Sequence, residues 1–551
     1  MATTTETVTA IELVELQPHP EATARAPSIQ PARTSLETAI DNSSNFDPES
    51  PLNHQTQQLS NLRIGLAIST PSFVSFLASF TNGLITLGLP VIARSITLER
   101  SLYLWPSSVY GLTSGAALLI AGSIADIVGA KPVELAGITL LGIMALACGF
   151  ATSGAQLVAF RALQGVALAM HLPASVAIIA GAVPSGRARN LGFACLGFSM
   201  TMGFAIGLVL NGVIIERAGW RVGFYLSGGC TLAVAVAALW TVPNVKAEQK
   251  IGAVAMFRKV CMEIDWIGGL ISSAGLAILA YVLAILSADL TSIHSAQTAT
   301  LLTISIVLLV AFPLWMHHRT SNGKPALIPN KLWRNLPFSA TCIMVGLTSG
   351  VVNSIELFSS LYFQEIQHAS TLTTSLYLLP NSGTGVLISV AVGFFVHRIT
   401  ARWLIAGSAM IGAASPMFMA LMDPAWSYWY LAFWAQICAP FSADMLATVG
   451  LIIVSDSFPE ETQALAGAVF NTVAQFGMSL GMGSCQVVAL GVQGQSAGGG
   501  GHGGAFEDKD DGALLKGYRA SYWLMFAYTV VIGAVAMVGL KKVGKVGLKR
   551  E

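Results

Sequence analysis

Fourteen apolar runs, each long enough to cross a bilayer, follow one another between residues 64 and 540, and they leave this chain few ways to fold. A helix rising 1.5 Å per residue needs roughly 20 apolar residues to span the hydrocarbon core. The runs lie near 64–93, 103–127, 133–152, 156–182, 190–214 and 221–242, then 265–287 and 298–316, then 337–362, 374–396, 403–422, 427–454, 463–491 and 521–540. Lipid offers no partner to backbone N–H and C=O groups, so each run is expected to be a helix. The expectation is an all-α membrane protein of fourteen transmembrane helices in groups of six, two and six, with the middle pair set apart from both bundles.

Composition removes the alternatives. Hydrophobic residues are 54% of the chain and charged residues 10%, against roughly 25% charged in soluble domains. The net charge of +1 and the lack of a basic cluster with interleaved aromatics give no footprint for nucleic acid. The seven cysteines form no CxxC pair, and neither a disulfide frame nor a metal site is read from them.

Residues 1–60 read as a disordered tail rather than a signal peptide. Residues 243–264 read as a cytoplasmic linker, 493–519 as a flexible external loop and 541–551 as a basic tail. With the N-terminus inside, cytoplasmic flanks hold nineteen Lys and Arg, from Arg63 to Arg550. External flanks hold seven: Arg94, Arg100, Arg217, Arg221, Lys509, Lys516 and Arg519. This asymmetry places both termini in the cytoplasm. The sequon Asn42-Ser43-Ser44 is therefore expected to stay unmodified.

The loop after span 2 contains Gly122, Asp126, Gly129 and Lys131. The loop after span 10 contains Gly393, His397, Thr400 and Arg402, at an offset of 271 residues. Such a repeat is expected of a transporter built from two related halves. Here the chain resembles the major facilitator superfamily, in its fourteen-span drug:proton antiporter group common in fungi. The first loop is similar to that superfamily's Gly-x-x-x-Asp-Arg-x-Gly-Arg-Arg/Lys signature, with departures at Ile127 and Ala130. Arg161-Ala162-Leu163-Gln164-Gly165 in span 4, Asp265-Trp266-Ile267-Gly268, Tyr362-Phe363-Gln364 and Leu379-Pro380 extend the resemblance. Two group features differ. Gly203-Phe204 and Gly207-Leu208 stand where span 5 has Gly-Pro and Gly-Gly, and Thr81 stands where span 1 has an aspartate. The resemblance implies proton-coupled efflux of a drug or secondary metabolite through a plasma-membrane or vacuolar monomer, with the signature loops as a gating latch and no cofactor.

Ionisable side chains inside a bilayer are costly, roughly 2.5–3.5 kcal/mol at the centre, and mark cavities or partners. Helical spacing puts Arg161, Gln164, His171 and Ser175 on one face of span 4, and Asn353 and Glu356 on one face of span 9. It groups Gln436, Pro440 and Asp444 in span 12, and Asn471 and Gln475 in span 13. Four polar stripes predict a central hydrated cavity that forms the substrate or proton pathway, with Glu356 and Asp444 as the intramembrane acids. Plainer readings exist: His171 as a satisfied buried histidine, Asn471 and Gln475 as interhelical hydrogen bonds, and Arg161 snorkelling to the interface.

Other classes fit less well. HExxH and GxxxxGK[ST] patterns are missing, which argues against a metal-dependent membrane enzyme or a primary pump. An uncoupled facilitator of a small polar solute or ion remains an alternative, because Thr81 and Phe204 replace antiporter features. A transporter-like nutrient sensor is a third, disfavoured by the short tail.

Overall fold

The computed structural model describes residues 61–544 apart from 99–102, 185–186, 244–252, 289, 325, 396–397, 459, 497–510 and 542. The 1–60 tail, most of the 541–551 tail and His397 lie outside the described residues. Nearly everything described is helical. The helices are α1 Asn61–Ser95, α2 Trp105–Val128, α3 Ala130–Gly149, α4 Gly154–Ala182, α5 Arg187–Ala218 and α6 Trp220–Thr241. Next come α7 Ala253–Glu263, α8 Trp266–Ala288 and α9 Ala296–Ser321. The rest are α10 Leu336–Leu361, α11 Thr371–Phe395, α12 Ala401–Leu421, α13 Ala432–Cys438, α14 Pro440–Ser457, α15 Glu460–Ser496 and α16 Asp511–Gly539. Thirteen spans among the described residues have the length and apolarity to cross a membrane, with α13 and α14 counting as one. α11, 25 residues long, is the remaining candidate.

Helix pairing repeats along the chain. α1 packs on α5 and α6, and α3 on α4 and α6; α10 packs on α15 and α16, and α12 on α14 and α16. α2 crosses to α15, and α11 crosses to α5, so spans 2 and 10 occupy equivalent places. Small residues make the tightest of these contacts, because helices in lipid associate through close van der Waals packing. A Cβ at Gly203 would run into the Phe76 carbonyl, and one at Gly207 would lie 2.8 Å from Phe80 Cα. In the second set, Gly477 and Gly481 meet Gly346 and Gly350 backbone to backbone.

The middle pair is not set apart as its sequence suggested. α8 packs on both α2 and α15, one helix from each set, while α9 packs on α8. α9 turns Ile304, Ile306, Val307, Val310 and Leu314 outward, a face suited to lipid. Asp265 explains the Asp-Trp-Ile-Gly start of α8. Its Oδ1 accepts from Gly268 N and Trp315 Nε1, both at 3.0 Å, and Arg319 Nε lies 3.8 Å away. The carboxylate therefore caps one helix of the pair and ties it to the other.

One further expectation is corrected in part. The linker contains α7, and the loop expected over 493–519 is helical at both of its described ends. α15 continues to Ser496 and α16 starts at Asp511. Leu514 and Tyr518 bury their side chains in the core, and this packing outweighs the charges of Lys516 and Arg519 that broke the apolar pattern.

At the end where α1 finishes, one continuous apolar core joins both helix sets, from Leu84 and Phe224 to Phe358, Tyr428 and Tyr522. Hydrogen bonds between described residues also cross between the sets there. Gln364 Nε2 donates to Leu87 O at 2.9 Å, Tyr103 OH to Glu365 Oε1 at 3.0 Å, and Leu372 N to Glu216 Oε1 at 2.8 Å. At the opposite end the described cores are separate. Ile138, Leu168 and Ile178 belong to one cluster, and Phe338, Val449 and Phe470 to another that takes in Leu119 of α2. The two sets thus share one core at the end where α1 finishes and have distinct described cores, joined only through α2, at the other.

Candidate functional site

A cavity of about 330 Å³ lies between the two helix sets. Asn82 and Thr86 of α1, Ser107 of α2, Arg161 of α4 and Thr201 of α5 form one wall. Asn353 and Glu356 of α10, Asn381 and Ser382 of α11, and Asp444 of α14 form the other, with Met478 and Met482 of α15 between them. Charge is thus divided: a guanidinium on one side and two carboxyl groups on the other.

Arg161 does not snorkel; it is 1% exposed. Its Nε donates to Pro106 O at 2.9 Å, Nη1 to Gln164 Oε1 at 2.9 Å and Nη2 to Asn82 Oδ1 at 2.8 Å. Its Cζ stands 4.2 Å from the Tyr110 ring centroid, a cation–π contact. Gly165 makes this arrangement possible, since a Cβ there would strike Thr113 and the Tyr110 carbonyl of α2. The Arg-Ala-Leu-Gln-Gly motif therefore works as a unit: glycine admits α2, glutamine holds the guanidinium, and arginine faces the cavity. Every partner is neutral, so the positive charge is not cancelled locally. Arg161→Lys is expected to lower transport about tenfold or more, because an ammonium cannot fill three fixed, divergent bonds and each lost buried bond costs ~1–3 kcal/mol. Initial transport rates, normalised to protein in the membrane, check this.

On the opposite wall Asn381 Nδ2 donates to Glu356 Oε1 at 3.2 Å. Asp444 sits one turn beyond Pro440. That proline cannot donate to Gln436 O, so one helical hydrogen bond is lost where α13 meets α14, while Ala439 between them keeps helical dihedrals. A Cβ at Gly385 of α11 would come within 2.5 Å of Asp444 Oδ2, so the missing side chain makes room for this carboxyl group.

The structure gathers Arg161, Asn353, Glu356 and Asp444 at the cavity, but not five other candidates. Gln164 lies behind Arg161 as its acceptor. Gln436 is buried away from the cavity, two turns before Asp444, beside Ala432, Ala435 and Ala439 of the core shared by both helix sets. Gln475 packs on Gly111 and Gly115 of α2. Asn471 is exposed and bonds its own helix at Gly467 O, 3.1 Å. His171 points into the α1–α6 set, where Nδ1 meets Glu134 Oε1 and Nε2 meets Ser75 Oγ, both at 2.9 Å.

Asn82, Thr86, Asn381 and Ser382 were missed. Asn82 adjoins Thr81, whose hydroxyl bonds Leu77 O, and Asn381-Ser382 directly follow the Leu379-Pro380 motif; both positions were legible. Glu356 and Asp444, both half-buried, are also not the sole acids within the helices. Glu134 is fully buried in α3. Glu365, in the π-helical turn Tyr362–Ile366 that extends α10, accepts from Tyr103 OH and from Tyr518 OH at 2.6 Å.

The signature loop takes a definite form. Gly129 has φ +103°, a conformation that side chains resist, and it turns the chain from α2 into α3. Lys131 Nζ donates to Leu239 O at 2.9 Å, satisfying a carbonyl in the last turn of α6. Asp126 is exposed in the last turn of α2, and Gly122 lies beside Pro173 of α4. In the second copy Gly393 belongs to α11, and Arg402 stacks 5.1 Å from the Trp403 ring rather than capping a helix.

Known proteins agree with this architecture. The family model described as Major Facilitator Superfamily matches residues 72–482. MFS-type transporter 1 of Pyricularia oryzae is 36% identical, over 95% of this chain and 92% of its own. The low affinity ammonium transporter of Saccharomyces cerevisiae is 27% identical over 76% and 77%. Efflux pump terJ of Aspergillus terreus is 23% identical over 79% and 80%. Among solved structures, an inward-facing, unoccupied bacterial homolog of the human lysosomal transporter Spinster superposes with a TM-score of 0.60 at 13% identity, covering 88% of this chain and 98% of that one. A long, nearly all-helical chain, a repeated pattern of helix pairing and a family match across most of its length lead to one assignment: this multi-pass membrane protein belongs to the major facilitator superfamily.

Proposed function

We propose that this protein exports a small organic compound, a drug-like molecule or secondary metabolite, by alternating access driven by proton uptake. The observation that carries the reading is the charge-divided cavity, with Arg161 on one wall and Glu356 and Asp444 on the other. Two carboxyl groups facing an unneutralised guanidinium give a site where a proton and a substrate compete for the same acidic wall. The arrangement of spans as six, two and six, and the orientation with both termini in the cytoplasm of a plasma-membrane protein, belong to the same reading. In that orientation the shared core faces outward and the distinct cores inward. The latch is assigned to the Asp126 loop, and relatives named as efflux pumps support the direction.

The alternative is an uncoupled facilitator of a small polar solute or ion. Thr81 in place of an acid, and a relative named as an ammonium transporter, favour it. The two readings separate in proteoliposomes loaded with ethidium or methylammonium as probes. Under an imposed pH gradient, wild-type protein is expected to accumulate ethidium against its own gradient. Flux that ignores the pH gradient overturns antiport, and methylammonium flux alone selects the facilitator.

A further inference from the structure

Away from the cavity, three helices bring Glu134 of α3, His171 of α4 and Ser75 of α1 into one chain of hydrogen bonds. Glu134 and His171 are 0% exposed and Ser75 is 1% exposed. The carboxyl–imidazole contact is 2.9 Å, as is the imidazole–hydroxyl contact. Gly137, one turn after Glu134, lets α3 close on α4: a Cβ there would lie 3.0 Å from Met170 Cβ and 3.2 Å from His171 N. Around the group stand Val74, Ala78, Ile138, Ala167 and Leu168.

A serine–histidine–acid order is also a nucleophile's order. None of the three residues lines a described cavity, so no substrate reaches the hydroxyl, and the arrangement serves another purpose. Glu134 Oε2 has no hydrogen-bond partner. A buried carboxylate with one bare oxygen is costly to keep ionised without a compensating charge.

The titratable side chains on the packed elements are Arg63 and Arg94 of α1, Tyr110 and Asp126 of α2, Lys131 and Cys148 of α3, and Arg161 of α4. Arg187, Arg189, Cys195, Glu216 and Arg217 of α5, and Arg221, Tyr225 and Cys230 of α6, complete the set. None of the described side chains among them bonds either member of the pair. Lys131 is spent on Leu239 O and Arg161 on its neutral cradle.

We infer that Ser75, His171 and Glu134 form a proton-binding site inside the α1–α6 set, separate from the cavity acids. Without the extra proton, neutral His171 donates from Nδ1 to the carboxylate and accepts at Nε2 from Ser75 OH. With it, Nε2–H donates to Ser75 Oγ, the proton at the Nδ1–Oε1 contact resides on Glu134 as a carboxylic acid that donates to Nδ1, and both members are neutral. The serine hydroxyl reverses its role, so both contacts are made in either state, and one proton is the whole difference between them. The site lies between the cavity and the signature loop. His171 shares α4 with Arg161, and Glu134 lies one turn after Lys131. Pro173, two residues beyond His171, removes a backbone bond from α4 at this level and eases local movement.

The place of this site in the transport cycle rests on the antiport reading; its capacity to bind a proton does not. The test therefore has two readouts on full-length protein in lipid. The first is pH-step difference infrared spectroscopy between about pH 5 and 9, a range that covers ordinary histidine and shifted carboxyl titrations. A buried carboxyl C=O band is expected to titrate in the wild type, to vanish in Glu134→Gln, and to move its midpoint by about a unit or more in Ser75→Ala, which keeps the pair but loses the reversible hydroxyl. The second is ethidium accumulation in proteoliposomes under a pH gradient, expected to fall about tenfold in Glu134→Gln while exchange without a gradient continues. If no band is lost in Glu134→Gln, or if the band does not titrate, the proton site is overturned. If the band titrates but the variant still follows the gradient, its coupling role is overturned. If wild-type flux itself ignores the gradient while the band titrates, the antiport reading falls and the proton site stands.

Discussion

Asp444→Asn is expected to abolish gradient-driven accumulation while sparing exchange of substrate across the membrane. The side chain faces the cavity from α14, one turn past Pro440, with Gly385 leaving space beside its carboxyl group. An amide fills that space and keeps the polarity, but it cannot take up and release a proton. Accumulation of ethidium under a pH gradient should fall more than about tenfold, and counterflow should stay within about threefold of wild type, because substrate binding and helix movement are retained. Glu356 is held by Asn381 on the same wall, so it does not replace Asp444 as the mobile proton carrier. Undiminished gradient-driven accumulation by Asp444→Asn would remove this residue from the coupling step.

The second large effect concerns stability. Gly477 meets Gly346 so closely that any Cβ overlaps the facing backbone. A backbone cannot rotate aside as a flexible side chain does, so α10 and α15 must separate along their contact. Overpacking of this kind costs ~1–3 kcal/mol or more. Gly477→Ala is therefore expected to lower the detergent melting temperature by roughly 5 °C or more, and Gly477→Leu to leave little folded protein. Gly467 supplies the control. It lies on the same helix, and a Cβ there meets nothing within 4 Å. Gly467→Ala should be neutral or stabilising by up to about 1 kcal/mol, the helix-propensity difference. Equal losses from both substitutions would show that helix contact at Gly477 is not the cause. The pair also bears on the repeat, since Gly203 and Gly207 hold α5 against α1 in the equivalent place.

The chain's class, its span order and the relation between its halves were fixed by one-dimensional signals. Runs of about 20 apolar residues, basic flanks and a loop repeated at 271 residues survive without tertiary information, because the bilayer sets helix length for every span alike. Arg161, Asn353, Glu356 and Asp444 were legible for a related reason: a polar group deep in an apolar run is too costly to be accidental. Only the tertiary structure decided where each of those groups points. Gln436 and Asp444 share a face of one span, yet only Asp444 lies at the depth of the cavity, while Gln436 is buried two turns away in the apolar core. His171 follows Gln164 along the α4 stripe, yet Gly137 draws α3 against it and gives it Glu134 as partner. Glu134 stands near the edge of its apolar run, where a charge looks solvated; the packing of α1, α3 and α4 buries it. Helical periodicity fixes angle about one axis. Which neighbour occupies that angle depends on how closely two backbones approach, and at Gly137, Gly165, Gly385 and Gly477 that distance is set by atoms far away in sequence.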